Sequence, residues 1–408
     1  MPDVAVAEPP VADTIQADAF LAGITALLPE IRARAAETER AGRVFDDVVK
    51  ALADAGVFRA VQPRQWGGLE LDLATFYQGM ALIASACGST GWVASVVGIH
   101  PWQIALFAEE AQRELWQENP DERASSSYAP TGSVRRVDGG FHLSGRWYFS
   151  SGVDHCGWVL LGAVIPDQGN GPEFRTFLVP RQEFTIDHDS WRVTGLAGTG
   201  SKDVIVPGAF VPEYRTHSIM DVYHERNPGF AANDRPYYRL PWRLVFGYTI
   251  AAPAVGAALG AVQAFIDSNS RRVSAYGGPA VARDPAVHRA LARALIATDT
   301  ARTRLAATWV ELQSLLRDNK AIPYARRAQA FYEATLAHHS CTSAIADLLA
   351  VNGGRTMRAD GALQRFFRDL LAMRNHPAAN LEFSGSLYAQ AMLGLDPPPF
   401  DPSQRFVL

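Results

Sequence analysis

The chain has few cysteines, and they are not arranged to bind zinc or to form a redox dithiol. Its 408 residues include three cysteines, Cys87, Cys156 and Cys341, which are far apart and odd in number. No C-x-x-C pair occurs, so a zinc ribbon or thioredoxin-like centre is not expected. A chain with so few thiols suits a reducing compartment, and we predict a cytoplasmic location.

The common nucleotide and metal motifs are also missing from the sequence. There is no G-x-G-x-x-G after a strand, since the nearest string, residues 195–200, has the reversed spacing G-L-A-G-T-G. G-x-x-x-x-G-K-[ST] and H-E-x-x-H do not occur either. We therefore expect no Rossmann domain, no phosphoryl transfer and no metal centre, and the chain has no evident place to bind a nicotinamide nucleotide.

Charge of one sign is nowhere concentrated. The chain carries 38 basic and 42 acidic residues, for a net charge of -4, and the signs are mixed along its length. Such a pattern predicts no nucleic-acid partner and no anionic membrane partner. No basic residue precedes Arg32, so the basic start of a secretory signal is not seen. The most apolar stretch, residues 251–266, is shorter than a bilayer needs, and we predict a buried helix there.

Hydrophobic periodicity predicts helices, then strands, then helices again. Apolar residues recur every three or four positions near the start, from Phe20 to Ile31, and again after residue 240. From about residue 125 the period is two, with a hairpin signal at residues 134–144. The strands follow one another without helices between them, which favours an antiparallel barrel or sandwich.

A chain of this length is expected to form two or three domains. In the C-terminal part, apolar residues from Leu291 to Leu316 repeat over nearly four heptads, as in a helix of a four-helix bundle, with Arg302 inside that seam. The predicted segments are a disordered lead (1–14), an N-terminal helical domain (15–122), a β-domain (123–213), an excursion or linker (214–239), a C-terminal helical bundle (240–395) and a tail (396–408).

One string stands out within the predicted β-domain. Residues 145–156 read G-R-W-Y-F-S-S-G-V-D-H-C, with three adjacent aromatics running into Ser-Ser-Gly. Such a strand could form a flat apolar wall for a planar heterocycle, with Trp147 and Phe149 on one face. A buried strand that enters a turn has the same composition, so the residues alone leave both interpretations open. Ser150 and Ser151 alternate in direction, so only one of them should meet a ligand.

Four strings, in the same order, resemble the acyl-CoA dehydrogenase superfamily over about residues 20–395. They are residues 145–152, residues 195–204 followed by Val211-Pro212, Arg271-Arg272 with Tyr276-Gly277, and Asn352-Gly353-Gly354 with Arg368-Asp369. The resemblance implies an α+β fold with an N-terminal α-domain, a central antiparallel β-barrel or sandwich and a C-terminal four-helix bundle. It also implies assembly as a homotetramer.

One departure from the dehydrogenases changes the expected chemistry. Where they carry a catalytic Glu, this chain reads Arg374-Asn375-His376-Pro377, with no carboxylate before Glu382. This version resembles the oxygenase components of two-component flavin monooxygenases, such as p-hydroxyphenylacetate hydroxylase and the seco-steroid phenol hydroxylase. Residues 126–132 and 149–156 look closest to the steroid branch.

The resemblance implies an enzyme that uses reduced FMN or FAD and O2 to hydroxylate a phenolic aromatic beside its existing hydroxyl, through a flavin C4a-hydroperoxide. A separate NAD(P)H-dependent flavin reductase would supply the reduced flavin, which fits the missing nicotinamide motif. The substrate would be a steroid-derived, polyketide-derived or simple phenol.

The same resemblance assigns roles to individual residues. The expected catalytic residues are His376, which takes the phenol proton or stabilises the phenolate, Ser151 beside flavin N5, His100 at the substrate hydroxyl, and Arg243 as a positive charge near the flavin. The expected cofactor-binding residues are Trp92, Ser125, Ser126, Trp147, Ser150, Ser151, Gly152, Arg272, Asn352 and Gly353. Structural explanations stand beside these: Trp92 as core, His376 as the end of a helix, and Arg271-Arg272 as a surface pair.

Three alternatives remain open on the sequence. An acyl-CoA dehydrogenase with its base elsewhere would be reduced by an acyl-CoA. A monooxygenase of the same fold that attacks nitrogen or sulfur would not need to activate a phenol. A structural relative without activity would bind no flavin, but the four strings would then have survived together without a role.

Overall fold

Helices at both ends of the chain enclose two central β-sheets. The structure is a computed structural model and describes residues 11–166, 172–270, 272 and 281–397. The helices are α1 (Val11–Ala41), α2 (Asp46–Asp54), α3 (Leu73–Ala86), α4 (Gly88–Ile104), α5 (Glu109–Trp116), α6 (Ile219–Tyr223), α7 (Trp242–Asn269), α8 (Pro285–Arg317), α9 (Tyr324–Asn352), α10 (Ala362–Arg374) and α11 (Leu381–Met392). The strands are β1 (Ala124–Ser127), β2 (Ser133–Val137), β3 (Gly140–Ser150), β4 (Trp158–Ile165), β5 (Glu173–Pro180), β6 (Thr185–Asp187), β7 (Lys202–Pro212) and β8 (Thr216–Ser218).

In the N-terminal part, α4 is the helix that the others surround. All but one of its residues are buried, because it packs against α3 and α7 as well as the sheets. Asp72 caps α3 by accepting a hydrogen bond from the Ala74 amide. α1 begins at Val11, inside the predicted lead 1–14, whose first ten residues lie outside the described part.

The described strands form a two-sheet sandwich, with orders β1-β4-β5-β8 and β2-β3-β7-β6. The predicted hairpin is confirmed, since β2 and β3 pair antiparallel from Ser133 opposite Ser144 to Val137 opposite Gly140. β1 and β4 pair in parallel, the exception in an otherwise antiparallel arrangement. The core between the sheets includes Phe141, Trp147 and Phe177, none of which has any exposed surface.

Helix α7 is the axis of the C-terminal part. It is long and apolar enough to cross a membrane by length and composition, yet 78% of its most apolar window is buried in the protein. It packs against α3, α4, α9 and α10. This confirms the buried helix predicted for residues 251–266, and α7 joins the N-terminal helices to the bundle through one continuous core.

One expectation about the bundle needs correction. Leu295, a residue of the expected seam, is 44% exposed. Arg302, inside the same seam, pairs with Asp299 on its own helix and is exposed. Within the predicted excursion or linker 214–239, β8 adds a strand to one sheet and α6 follows at once.

Candidate active site

The Ser-Ser-Gly turn ends β3 against the start of α4. Pairing between β3 and β7 is irregular between Trp147 and Ser150, which places the two serines on different partners. Ser151 Oγ accepts a hydrogen bond from Trp92 Nε1 at 3.1 Å and lies 2.7 Å from Ser201 Oγ. Ser150 Oγ lies 2.9 Å from Ser125 Oγ, and both of these serines are fully buried. The prediction that only one serine is available to a ligand therefore fits the geometry.

A chain of hydroxyls fixes the direction of the Ser151 hydrogen bond. Thr199 Oγ1 donates to the Leu196 carbonyl at 2.8 Å and lies 2.6 Å from Ser201 Oγ. Because the Thr199 proton is used, Ser201 donates to Thr199 and accepts from Ser151. Ser151 then accepts from Trp92 and donates to Ser201. A ligand that offers a better acceptor can take the Ser151 proton without leaving a buried donor unpaired.

Gly152 allows this turn to lie directly on α4. Its φ is +68°, and a Cβ at this position would come within 2.9 Å of Val93 Cγ1. Its amide donates to the Thr199 carbonyl at 3.0 Å, which ties the turn to the loop before β7. Any side chain here would be strained and would push Ser151 away from Trp92.

The loop that holds Ser201 is anchored to the helical bundle by Asp369. The Leu196 amide donates to Asp369 Oδ1 at 2.6 Å, and burial raises the pKa of this carboxyl to about 7. Asp369 is 3% exposed. Two of the strings that carry the family resemblance, residues 195–204 and Arg368-Asp369, thus meet and position the Ser151 hydroxyl chain.

His376 is the first of two site histidines, and its tautomer is set by the backbone. It caps the short turn 377–379, where its Nδ1 accepts from the Ala378 amide at 3.2 Å. The neutral ring therefore carries its proton on Nε2 and is a donor there. Its ring centroid lies 5.6 Å from that of Trp92. Although the residue is only half-buried in the single chain, apolar surroundings lower its pKa to about 4.

His100 is the second site histidine, and its proton lies on the other ring nitrogen. Its Nδ1 lies 2.6 Å from the Ala124 carbonyl, which can only accept, so Nδ1 carries the proton. Its Nε2 is buried and has no hydrogen-bond partner in the described part of the chain. Burial lowers the pKa of His100 to about 4. One histidine thus offers a free lone pair and the other an N–H.

Aromatic rings enclose the free nitrogen of His100. The His100 ring lies 6.2 Å from Phe246 and 6.4 Å from Tyr128, and Trp242 stacks on Phe246 at 4.1 Å. These rings come from α4, the residue after β1 and α7, and we call this cluster, which surrounds the one free acceptor of His100, the aromatic chamber. A planar ring that brings its own hydroxyl matches this chamber in shape and polarity.

Sequence reasoning missed the polar support behind this chamber. Tyr128 Oη donates to Gln103 Oε1 at 2.5 Å, and Gln103 Nε2 lies 3.1 Å from His217 Nε2. Burial raises the pKa of Tyr128, and a hydrogen bond with Ser126 partly offsets this. No residue pattern signals the network, because its members are brought together only by packing. Ser126, expected at the cofactor, is here a partner of Tyr128.

A further buried histidine, His338, lies on α9 near His376. It is 1% exposed, and neither ring nitrogen has a partner within the described residues. Burial and the neighbouring His376 lower its pKa to about 3. His339 faces another way and contacts the Ala379 carbonyl at 3.1 Å. The two α9 histidines therefore flank the turn that begins at His376.

Arg243 is buried at the start of α7. It is 3% exposed, and its guanidinium lies over the rings of Phe331 and Phe383 at 4.5 and 4.6 Å. Burial lowers its pKa to about 9, and nearby Tyr324 opposes that effect. It remains charged at neutral pH and gives this apolar region a fixed positive charge.

Three of the expected cofactor residues form a separate cluster. Arg272 donates to the Asn352 carbonyl and side chain at 3.1 and 3.0 Å, beside Gly353, whose φ is +70°. At about 1.5 Å per residue, Asn269 lies about 35 Å from Phe246 along α7. The cluster therefore lies at the opposite end of α7 from Phe246 and the His100 ring. Arg271 and Tyr276-Gly277 lie outside the described residues.

The prediction that this strand forms a flat aromatic wall is wrong. Trp147 has no exposed surface, and its Nε1 donates to the Gly162 carbonyl at 2.8 Å between the two sheets. Phe149 does not share its face, because the irregular pairing puts Phe149 at φ +64°. Tyr148 and Phe149 are instead 44% and 68% exposed. Trp147 thus holds the β-domain together, and the ring beside Ser151 is Trp92.

These residues fit a flavin. The Ser151 hydroxyl, the Trp92 and His376 rings and the apolar surroundings offer a small polar contact inside a wall that excludes water. No group of three or more His, Cys, Asp or Glu side chains in the described residues could hold a metal ion.

Comparison with known proteins identifies the lineage. Residues 25–119 match the family "Acyl-CoA dehydrogenase, N-terminal domain" and residues 248–381 match "Acyl-CoA dehydrogenase, C-terminal domain". The oxygenase subunit HsaA, a flavin-dependent monooxygenase of Rhodococcus jostii, is 41% identical over 91% of this chain and 97% of its own. The chain belongs to the acyl-CoA dehydrogenase superfamily, in its two-component flavin monooxygenase branch.

Two further proteins support the assignment to this branch of the superfamily. The oxygenase component of p-hydroxyphenylacetate 3-hydroxylase from Acinetobacter baumannii is 31% identical, covering 93% of this chain and 90% of its own. The crystal structure of the HsaA monooxygenase from M. tuberculosis superposes with a TM-score of 0.89 at 40% identity, over 93% of this chain and 100% of that chain. The predicted α+β fold is confirmed, and the chain is the oxygenase component of a flavin-dependent aromatic hydroxylase that uses reduced flavin and O2.

Proposed function

We propose that this oxygenase hydroxylates a phenol at the carbon beside its hydroxyl, with His100 as acceptor and His376 as donor. The observation that carries the proposal is the pair of opposite tautomers, with an unpartnered His100 Nε2 inside an aromatic chamber. In the reaction one phenol, one O2, two electrons and two protons give a catechol and one water. Bound reduced flavin supplies the two electrons and the site at which O2 reacts.

His100 acts on the phenol hydroxyl. Its Nε2 lone pair accepts the O–H, which raises electron density on the adjacent ring carbon, the position that must attack oxygen. Because burial disfavours the imidazolium, His100 stays neutral at pH 7, so its Nε2 lone pair is available to accept the hydroxyl's hydrogen bond and it holds a transferred proton only briefly. The chamber of Tyr128, Trp242 and Phe246 holds the ring flat and keeps water out.

His376 acts as a hydrogen-bond donor through its Nε2–H. The sequence left two roles open for it, proton acceptor or stabiliser of negative charge. The Ala378 amide occupies its Nδ1, which supports the second role, since the proton is then on Nε2. Ser151, beside Trp92, orients the flavin edge through its exchangeable hydroxyl proton.

Three wider proposals accompany this one. A separate NAD(P)H-dependent flavin reductase delivers the reduced flavin, as the names of the oxygenase-component relatives imply.

The chain works as a homotetramer in which a neighbouring subunit supplies Arg272, Asn352 and Gly353 to the flavin phosphate. Exposed apolar residues on α8 and α11, among them Ile296 at 69% and Met392 at 65%, support such contacts. A cytoplasmic location suits its three unpaired cysteines.

The experiment compares substrates that differ only in the atom attacked. The full chain, with a flavin reductase, NADH and O2, is given a simple phenol, a matched aryl thioether and a matched aniline. We expect a catechol from the phenol, and a rate that His100→Gln lowers at least 100-fold. A faster reaction with the thioether or the aniline, unaffected by His100→Gln, would instead identify a sulfur or nitrogen oxygenase.

A further inference from the structure

A second polar cluster lies just outside the aromatic chamber. A small cleft of about 30 Å³ is lined by residues of α6, the turn before α7 and the first turn of α9, among them Tyr223, Arg239, Trp242 and Arg327. Trp242 is common to the cleft and the chamber, because its ring stacks on Phe246 at 4.1 Å and meets Tyr128 at 5.1 Å. The cleft therefore begins one ring beyond the place where the phenol binds.

One donor that lines the cleft, Arg327, and one beside it, Tyr324, lack acceptors among the described residues. Arg327 Nε and Tyr324 Oη are both buried and have no hydrogen-bond partner in the part of the chain that the structure describes. Arg327 also forms no ion pair with a described carboxylate, whereas its neighbour Arg326 is held by Glu311 at 2.7 Å. Two neighbouring buried donors left unpaired destabilise the fold unless a ligand satisfies them.

The charges around the cleft have one dominant sign. The charges of Arg327 and Arg243 both act on Tyr324, which places its hydroxyl within reach of two guanidinium groups. Arg239 lies on the rim and is 3.7 Å from Glu225, the one carboxylate that lines the cleft. Burial lowers the pKa of Arg327, and Tyr223, Tyr324 and Glu225 oppose that effect only in part. The cluster has an excess of positive charge.

We propose that Tyr324 and Arg327 bind a carboxylate carried by the substrate on a side chain away from its phenol hydroxyl. A carboxylate accepts from both donors at once, and the small volume suits such a group better than a second ring. Because Trp242 borders both the cleft and the aromatic cluster at His100, a tail of several carbons on the ring held at His100 can carry the carboxylate to the cleft. This inference rests on the proposed function and names its substrate class, a phenol with an acidic tail of several carbons.

The test uses matched acids and esters. The full chain with reductase, NADH, FMN and O2 is given 4-hydroxyphenyl derivatives that end in acetate, butanoate or hexanoate, each beside its methyl ester. We expect kcat/KM of at least one of the longer acids to exceed that of its ester by about 10- to 100-fold, the range of a charge-assisted hydrogen bond. Calorimetric titration of the flavin-free chain with the same compounds should show the same preference in Kd.

Substitutions test whether Tyr324 and Arg327 cause the preference for the acid over its ester. Arg327→Met should bring the acid-to-ester ratio close to one, and Tyr324→Phe, which removes only the hydroxyl, should lower it several-fold. Arg326→Met, on the same helix but paired with Glu311, should leave the ratio unchanged. A ratio near one for all three pairs in the wild-type chain, or an unchanged ratio in Arg327→Met, would overturn the inference while the esters are still hydroxylated. If neither acids nor esters gave a catechol, the proposed function itself would fail.

Discussion

Trp92 Nε1 donates to Ser151 Oγ across the junction between α4 and the end of β3, at 3.1 Å. The tryptophan ring also meets His376 at 5.6 Å, so one side chain links the serine to the histidine. Three of the residues expected from the sequence are thus neighbours in space, and the consequences of that contact can be measured.

Loss of the Ser151 hydroxyl should uncouple the reaction. Ser151→Ala removes the hydroxyl that we propose orients the flavin beside Trp92, so more of the O2 consumed should appear as hydrogen peroxide and less as catechol. We expect a several-fold lower product yield per O2 in an oxygen-electrode assay with product quantified by chromatography. Ser127→Ala is the control, because that hydroxyl donates to the Tyr148 carbonyl within the β-domain. An equal loss of yield in both variants would refute a specific role for Ser151.

Trp147 should matter for stability and not for flavin binding. Trp147→Phe removes the bond to the Gly162 carbonyl and part of a fully buried ring, which should cost about 1–3 kcal/mol in the free energy of urea unfolding. The Kd for reduced FMN, measured anaerobically by fluorescence, should stay within twofold of the wild-type value. A tenfold higher Kd would show that Trp147 does contribute to flavin binding.

Arg272 should bind the flavin phosphate in the assembled protein. Arg272→Met removes a guanidinium that is held at Asn352, and we expect the Kd for reduced FMN to rise about tenfold, as for a charged hydrogen bond. Arg302→Met, which removes an exposed arginine paired with Asp299, is the matched control. The oligomer mass is checked by light scattering, and no change in Kd with the assembly intact would contradict this role.

Stability should fall on acidification from pH 7 to pH 5. His100 and His376 have pKa values near 4 in the folded chain, and those of His217 and His338 are near 3, against 6.5 for an exposed histidine. The unfolded chain therefore binds more protons between these values, so the stability present above pH 6.5 is lost as the pH falls. Asp369, whose raised pKa is about 7, acts in the opposite sense but is a single group.

The melting temperature measured by calorimetry should accordingly be lower at pH 5 than at pH 7. The difference in melting temperature between pH 7 and pH 5 should become smaller in His338→Phe, because this substitution removes one of these groups. A melting temperature that is flat or rises towards pH 5 would show that these histidines are not buried in their neutral form.

Much of the fold could be predicted because its signals are local. The hairpin predicted at residues 134–144 coincides with β2 and β3, which pair antiparallel on either side of the Asp-Gly-Gly turn. The parallel pairing of β1 with β4 could not be predicted, since it depends on which strand edges meet after the chain turns. Exposure of Phe149 was missed because an irregular pairing shifts the alternation that the prediction assumed.

The site was predictable in its residues but not in its chemistry. Ser151, Trp92 and His376 were expected from family strings and do meet. The tautomers of His100 and His376 were not predictable, since they depend on the Ala124 carbonyl and the Ala378 amide, which only the fold brings to each ring. Tyr324 and Arg327 carry no motif, and only their missing partners reveal them.

The most direct test is a single turnover with labelled oxygen. The protein is mixed anaerobically with reduced FMN and a phenol, 18O2 is admitted, and the product is analysed by mass spectrometry. We predict a catechol that carries one 18O atom beside the original hydroxyl, and a yield that His100→Gln abolishes. Reoxidation of the flavin at its rate in free solution, with all of the oxygen recovered as hydrogen peroxide and no catechol from any phenol tried, would contradict the account.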